Sequence, residues 1–172
     1  MSSDGQISQS EWVREALDRF EGPLIRYALR FTGDLERARD VVQDTFLKLC
    51  RQSPSELDGH LSQWLFTVCR NAAIDVQKKE RRMSTATELV DRASPPAAPP
   101  DDEVSTRDSA EQALRMLDRL PQNQQEVIRL KFQNELSYRE IADVTGLTVS
   151  NVGFLLHIGL KRLRELLKAE FA

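Results

Sequence analysis

The sequence predicts an all-α protein with two small helical domains joined by a flexible linker. Apolar residues recur every three or four positions along most of the chain, and only 6% of the residues are aromatic, which favours helices over sheets. Residues 93–102 read ASPPAAPPDD, a composition that does not pack into a core. The predicted domains are residues 1–82 and 109–172, with residues 83–108 as an acidic, Pro-rich linker.

Three helices are predicted in the N-terminal domain. The first covers about residues 11–31, where Gly22-Pro23 is expected to bend or break it. The second covers about residues 35–51, and the third covers residues 62–82 after a polar loop. The helical spacing of apolar residues predicts the buried stripe of the third helix, which consists of Leu61, Leu65, Val68, Ala72 and Val76.

A helix-turn-helix is predicted at residues 136–166 of the C-terminal domain. Ser137 and Glu140 have the spacing of a capping box, and Gly146 lies in the turn where a positive φ is expected. Thr148 is the predicted cap of the second helix. This motif places a helix in the major groove of DNA in many proteins. Two helices are predicted before it, at residues 109–120 and 121–133.

Composition excludes several classes of protein. No apolar run approaches the roughly 18 residues that span a bilayer, and the first residues lack a secretion signal, so we expect a cytoplasmic protein with no membrane partner. Cys50 and Cys69 lie in helical patterns, which favours buried free thiols over a redox pair. Two cysteines and two distant histidines do not form a metal site. Without a nucleophile–base pair or a phosphate loop, we expect no enzyme, no catalytic residues, no cofactor and no small-molecule substrate.

The net charge of −3 is unevenly distributed along the chain. Residues 1–82 carry 13 acidic and 13 basic side chains, residues 83–110 have a net charge of −4, and residues 111–172 have a net charge of +1. The acidity therefore lies in the linker. Neither domain has the strong basic excess of a protein that binds DNA unaided.

Two predicted helices of the N-terminal domain carry candidate binding faces. A polar face on the second helix consists of Asp40, Gln43, Asp44 and Lys48, and its spacing alone favours a solvated surface. Asn71 in the third helix has an amide and a carbonyl that can read the edge of a base. The basic end of the third helix fits either complementation of the helix dipole or contact with phosphates, and it consists of Lys78, Lys79, Arg81 and Arg82.

Five short motifs follow one another along the chain, namely Ala38-x-Asp40-x-x-Gln43-x-x-Phe46, Trp64-Leu65, Arg70-Asn71-x-x-x-Asp75, Leu120-Pro121 and Ser137-Tyr138-x-Glu140-Ile141-Ala142. Their order and spacing resemble the extracytoplasmic-function group of bacterial sigma factors, in the sigma-70 family. The resemblance covers about residues 20–82 and 109–168. It implies a region-two domain followed by a region-four domain in a promoter-specificity subunit of RNA polymerase.

The resemblance also implies roles for particular residues. The second helix would bind core RNA polymerase through Asp40, Gln43, Asp44 and Lys48. The third helix would melt and read the −10 promoter element, with Asn71 at a flipped base and the loop at residues 53–60 as the pocket wall; flipping costs a few kcal/mol. The second helix of the helix-turn-helix would read the −35 element. The implied DNA-binding residues are Trp64, Arg70, Asn71, Lys78, Lys79, Arg81, Arg82, Thr148, Ser150, Asn151, Phe154, His157 and Lys161.

The last helix departs from the family pattern, which places several basic residues early in this helix. The chain has Gly153, Leu155, Ile158 and Leu160 at those positions. At 100° per residue, Phe154 and Ile158 point away from the predicted core face. They would contact thymine methyl groups, form a patch for a partner protein, or be buried by a rotated packing. The predicted core face consists of Val149, Val152, Leu156, Leu160, Leu163 and Leu167.

The sequence leaves two other functions open beside a sigma factor. A sigma-like adaptor would dock on polymerase or another protein without reading DNA, and the apolar outward face of the last helix fits it. A stand-alone helix-turn-helix regulator would bind duplex DNA without polymerase, and the near-neutral domains argue against it. The partners implied by the resemblance are core RNA polymerase and promoter DNA, with an anti-sigma factor as an open alternative.

Overall fold

Every element that the computed structural model describes, in residues 7–84 and 107–172, is a helix. The chain divides into two compact units, Met1–Ala97 and Ala98–Ala172, so the all-α, two-domain prediction is confirmed. Most of the predicted linker, 83–108, lies outside the described residues, and the exact domain boundaries stay predictions. The helices are α1 (Gln9–Thr32), α2 (Leu35–Leu49), α3 (Leu61–Ser84), α4 (Arg107–Leu117), α5 (Gln122–Phe132), α6 (Tyr138–Thr145) and α7 (Val149–Glu170).

α1 is a single helix that continues through Pro23, so the expected break is absent. Its N-terminus is a capping box in which Ser8 accepts a hydrogen bond from the backbone N–H of Glu11, and hydrogen bonds from Ser8 lower the pKa of the Glu11 carboxyl. An interior proline costs a helix about 3 kcal/mol. The complete burial of Leu24, directly after the proline, and the burial of Phe20 offset this cost.

The first unit is a three-helix bundle in which α1 packs against α2 and α3, and α2 packs against α3. The ring of Phe66 on α3 meets the ring of Tyr27 on α1 edge-on, with centroids 5.2 Å apart. The buried positions of α3 are Leu65, Phe66, Cys69 and Ala73. The predicted stripe was therefore wrong apart from Leu65, because contact with both α1 and α2 rotates the buried arc. The half-buried members of that stripe are Leu61, Val68, Ala72 and Val76.

The two cysteines are free thiols in different environments. Cys69 is buried, and this burial raises the pKa of its thiol to about 12. Cys50 is exposed, so the expectation that it is buried was wrong. The reason is its position: Leu49 is the last buried residue of α2, and Cys50 follows it as the C-cap.

In the second unit, α7 packs against α4, α5 and α6. Gly159 lies where α7 approaches α5, and a Cβ at this position would be 2.8 Å from Cδ1 of Ile128 and 3.3 Å from Cβ of Gln124. The absence of a side chain therefore permits close packing of the two helices. Gln125 is buried on α5, and its Nε2 donates to the carbonyl oxygen of Leu120 at 2.7 Å, which ties α5 to the turn that follows α4.

The buried face of α7 is rotated from the one predicted by the helical wheel. Val152 and Leu156 are buried as predicted, but Val149 is 48% exposed. Leu155 and Gly159, which were not predicted to be buried, lie in the core together with Val152 and Leu156. The reason is that the close contact with α5 is made at Gly159. The remaining members of the predicted core face are half-buried, namely Leu160, Leu163 and Leu167.

Candidate functional site

The helix-turn-helix is formed by α6 and α7, which meet at an angle of 103°. Gly146 ends α6 with a φ of 76°, and its N–H donates to the carbonyl oxygen of Ala142 at 2.9 Å. Thr148 caps α7 by accepting a hydrogen bond from the N–H of Asn151 at 3.1 Å. The predicted caps are confirmed, and the angle is that of helix pairs that insert their second helix into DNA.

The outward surface of α7 brings together all of its predicted DNA-binding residues. Phe154 is 60% exposed, so the interpretation that buries it was wrong. Ile158 is half-buried and does not share this exposure. The exposed residues of the helix and its cap are Thr148, Ser150, Asn151, Phe154, His157 and Lys161.

A second candidate surface follows one side of α3. Helical spacing places Trp64, Asn71, Lys78 and Arg82 on the same side, with Trp64 half-buried and the others exposed. Lys79 and Arg81 are also exposed. Arg70, like Trp64, is half-buried, and its guanidinium carbon lies 5.8 Å from the centre of the Phe31 ring. That guanidinium therefore packs against α1.

The basic end of α3 contains one acid, Glu80, among four basic side chains in residues 76–84. Arg37 of α2 forms an ion pair with Glu80. Such a surface pair contributes little to stability, but it balances the one negative charge of this tract. A phosphate that approaches the end of α3 would meet a net positive surface.

The segment before α3 is held in place by hydrogen bonds at its start and by one buried side chain. Nε2 of Gln9 donates to the carbonyl oxygen of Gln52 at 2.6 Å and of Cys50 at 3.4 Å, which ties the start of the segment to α1. The side chain of Leu57 is buried, and Gly59 supplies a φ of 73°. This segment includes the predicted wall of the base pocket, at residues 53–60, and it leads directly to Trp64.

The outward face of α2 contains a residue that the sequence reasoning missed. Leu47 is 59% exposed, and it lies three and four positions after Asp44 and Gln43, which makes it their neighbour on the helix surface. Its position off the apolar stripe of α2 was a signal available in the sequence. Single exposed leucines are common on protein surfaces, so the relevant observation is that Leu47 lies at the centre of the predicted polymerase-binding face. The predicted polymerase-binding residues on this face are all exposed, namely Asp40, Gln43, Asp44 and Lys48.

Within residues 7–84 and 107–172, no group of three or more His, Cys, Asp or Glu side chains could hold a metal ion. In the same ranges, no single helix is long and apolar enough to cross a bilayer. Taken together, α6 and α7 are long and apolar enough, but they are bent by 103° relative to each other.

Comparison with known proteins decides what these surfaces belong to. Residues 16–83 match the family model for sigma-70 region 2, and residues 110–163 match the model for sigma-70 region 4. Over 169 residues the chain is 32% identical to the ECF RNA polymerase sigma factor SigL of Mycobacterium tuberculosis, and the match covers 94% of this chain and 92% of SigL. The chain belongs to the extracytoplasmic-function sigma factors.

The chain is also similar to a second sigma factor sequence and to a solved sigma factor structure. The chain is 32% identical over 161 residues to the RNA polymerase sigma factor CarQ of Myxococcus xanthus, covering 88% of this chain and 91% of CarQ. The solved structure of sigma factor RpoE from Bartonella quintana, in complex with the anti-sigma factor NepR, has a TM-score of 0.67 at 24% identity and covers 90% of this chain and 96% of that one. It shows the same fold. The predicted family and its function in transcription initiation are confirmed, and sigma factors as a family are not enzymes.

Proposed function

We propose that this extracytoplasmic-function sigma factor binds core RNA polymerase through α2 and reads two promoter elements through α3 and α7. Each helix exposes most of its candidate residues on the surface of a compact unit, and only Trp64 and Arg70 of α3 are half-buried. One observation carries the proposal: the same chain contains both of the surfaces that promoter reading requires. One unit has a basic helix face that includes Asn71, and the other has a helix-turn-helix with both caps formed. The polymerase supplies most of the non-specific DNA affinity, which is how a chain with a net charge of −3 selects promoters.

The proposed polymerase contact is the outward face of α2. Asp40, Gln43, Asp44 and Lys48 supply charge and hydrogen bonds, and Leu47 supplies the apolar contact at their centre. An apolar centre with a polar rim is the usual arrangement of a protein interface. The buried side of the same helix belongs to the core, so this face is available to a partner.

The proposed −10 contact is the exposed side of α3. Asn71 would read a base that leaves the stack, with Trp64 and the segment at residues 53–60 beside it. Lys78, Lys79, Arg81 and Arg82 would bind the phosphates that flank this base. Arg70 contributes indirectly in this proposal, since its guanidinium packs against Phe31.

The proposed −35 contact is the outward surface of α7. The N-terminal turns of a recognition helix contact base edges, and these turns carry Ser150, Asn151 and Phe154. His157 and Lys161 follow on the same surface, toward the phosphates. Thr148 caps the helix at its N-terminus, where the helix dipole favours a phosphate.

The proposal extends to location and regulation. We propose that the chain works in the cytoplasm, together with RNA polymerase, and that it catalyses no reaction of its own. The solved relative RpoE is bound to an anti-sigma factor, and we propose that a protein of that kind also binds this chain.

A run-off transcription assay tests the proposed function. Core RNA polymerase with the purified chain should initiate at defined start sites, and core polymerase alone should not. A chain that binds core polymerase without directing initiation would be an adaptor. A chain that binds promoter duplex tightly in the absence of polymerase would be a stand-alone regulator.

A further inference from the structure

Phe154 presents an aromatic ring at the surface of α7 that the fold holds outward. The ring is 60% exposed, whereas the next two residues, Leu155 and Leu156, are buried in the core. The burial of these two side chains fixes the rotation of α7 about its axis. Phe154 therefore projects outward from a helix that the core holds in place.

The neighbours of Phe154 on the helix surface are polar. Ser150 and Asn151 lie one turn before it, His157 lies one turn after it, and all three are exposed. Ile158, on the following turn, is half-buried. The apolar surface is thus centred on one ring among hydrogen-bonding groups.

The charge of α7 favours a polyanion as the occupant of this surface. Residues 149–164 contain no Asp or Glu, and the first acid of the helix is Glu165. Lys161, Arg162 and Arg164 follow the Phe154 turn, and all three are exposed. A helix surface with basic residues and without acids suits the phosphate-lined walls of a DNA groove.

We propose that Phe154 contacts the 5-methyl group of a thymine in the −35 element and thereby selects that base pair. The inference rests on the proposed placement of α7 in the major groove. Thymine presents a methyl group there, and phenylalanine is one of the side chains that contact it. Ser150 and Asn151, on the preceding turn, supply hydrogen bonds for neighbouring bases. The apolar residue that stands out in this helix is thus a specificity determinant.

Selection from a promoter library identifies the base. Holoenzyme assembled from core polymerase and the full chain transcribes templates in which the −35 region is randomised, and the templates of the transcripts are sequenced. The wild-type chain should enrich thymine at one position that Phe154→Ala no longer enriches. Phe132→Ala is the matched control, because Phe132 has the same 60% exposure but lies at the end of α5.

Replacing thymine by deoxyuridine in the selected promoter then tests the methyl group itself. Removal of one methyl group from an apolar contact costs about fourfold in affinity. Deoxyuridine at the selected position should lower wild-type holoenzyme binding by about that factor and leave the binding of Phe154→Ala holoenzyme unchanged. The Phe132→Ala holoenzyme should respond as the wild type does.

The outcomes separate this inference from the proposed function. Suppose that wild-type holoenzyme initiates at defined sites, but that deoxyuridine at every position changes its binding as much as it changes the binding of the Phe154→Ala holoenzyme. The inference is then overturned and the proposed function stands. If Phe154→Ala loses core-polymerase binding and keeps the thymine preference, the ring contacts protein and the inference is again overturned. If the wild-type holoenzyme does not initiate at all, the proposed function itself fails.

Discussion

Replacing Gly159 with alanine tests the close contact between α5 and α7. The new Cβ would lie 2.8 Å from Cδ1 of Ile128, which is the movable end of a side chain, and 3.3 Å from Cβ of Gln124, which is fixed to its helix. Such overpacking costs about 1–3 kcal/mol. Alanine recovers about 1 kcal/mol through its higher helix propensity. We expect a net loss of about 0–2 kcal/mol in the stability of the second unit.

Gly153→Ala is the matched control on the same helix. A Cβ at position 153 would lie 3.6 Å from Cε2 of Tyr138, which is an ordinary contact. The substitution should therefore stabilise the unit by about 0.5–1 kcal/mol through helix propensity alone. The second unit should thus be about 1–3 kcal/mol more stable in Gly153→Ala than in Gly159→Ala.

Hydrogen exchange under native conditions measures this difference. Both tryptophans, Trp12 and Trp64, lie in the first unit, so their fluorescence does not follow unfolding of the second. Exchange of the backbone amides of α5 and α7 reports the free energy of opening this unit directly. Protection should rise in Gly153→Ala relative to Gly159→Ala and stay constant in α1–α3. Equal protection in the two variants would refute the close approach of α5 to α7.

Three further predictions follow from the first unit. Asn71→Ala should lower promoter opening about tenfold, since a base contact is worth about 1–3 kcal/mol, while core-polymerase binding changes little; an equal loss in both assays would remove Asn71 from base reading. Leu47→Asp should weaken core-polymerase binding about tenfold or more in a pull-down titration at unchanged melting temperature, whereas Leu35→Asp, at the exposed start of the same helix, should not. A thiol reagent at pH 8 should modify Cys50 in the folded chain and Cys69 only after unfolding, because burial keeps the Cys69 thiol protonated up to a pKa of about 12; two modified thiols in the native chain would contradict its burial.

Features that depend on a few consecutive residues were predictable from the sequence. The capping box of Ser137 and Glu140, the left-handed Gly146 and the Thr148 cap all formed as expected, because each bond closes within about one turn of chain. The fold class and the family were predictable for a related reason, since helical periodicity and the order of motifs are written along the chain.

The rotation of each helix about its own axis was decided by the tertiary structure. Both α3 and α7 have more apolar positions than their neighbours cover, so a helical wheel permits more than one buried arc. In α3, contact with Tyr27 determines that the face containing Phe66 is buried. In α7, the close approach of α5 at Gly159 determines that the buried face excludes Val149. The exposure of Leu47 depends in the same way on which side of α2 the other helices cover.

By itself, then, the sequence determined that this chain is an all-α sigma factor, where its helices begin and end to within a few residues, and which polar residues are candidates for its partners. The tertiary structure decided that Phe154 faces outward, that Arg70 packs against Phe31, and that Cys50 is exposed while Cys69 is buried. The physical reason is that capping and periodicity are local, whereas burial depends on which surfaces of distant segments meet.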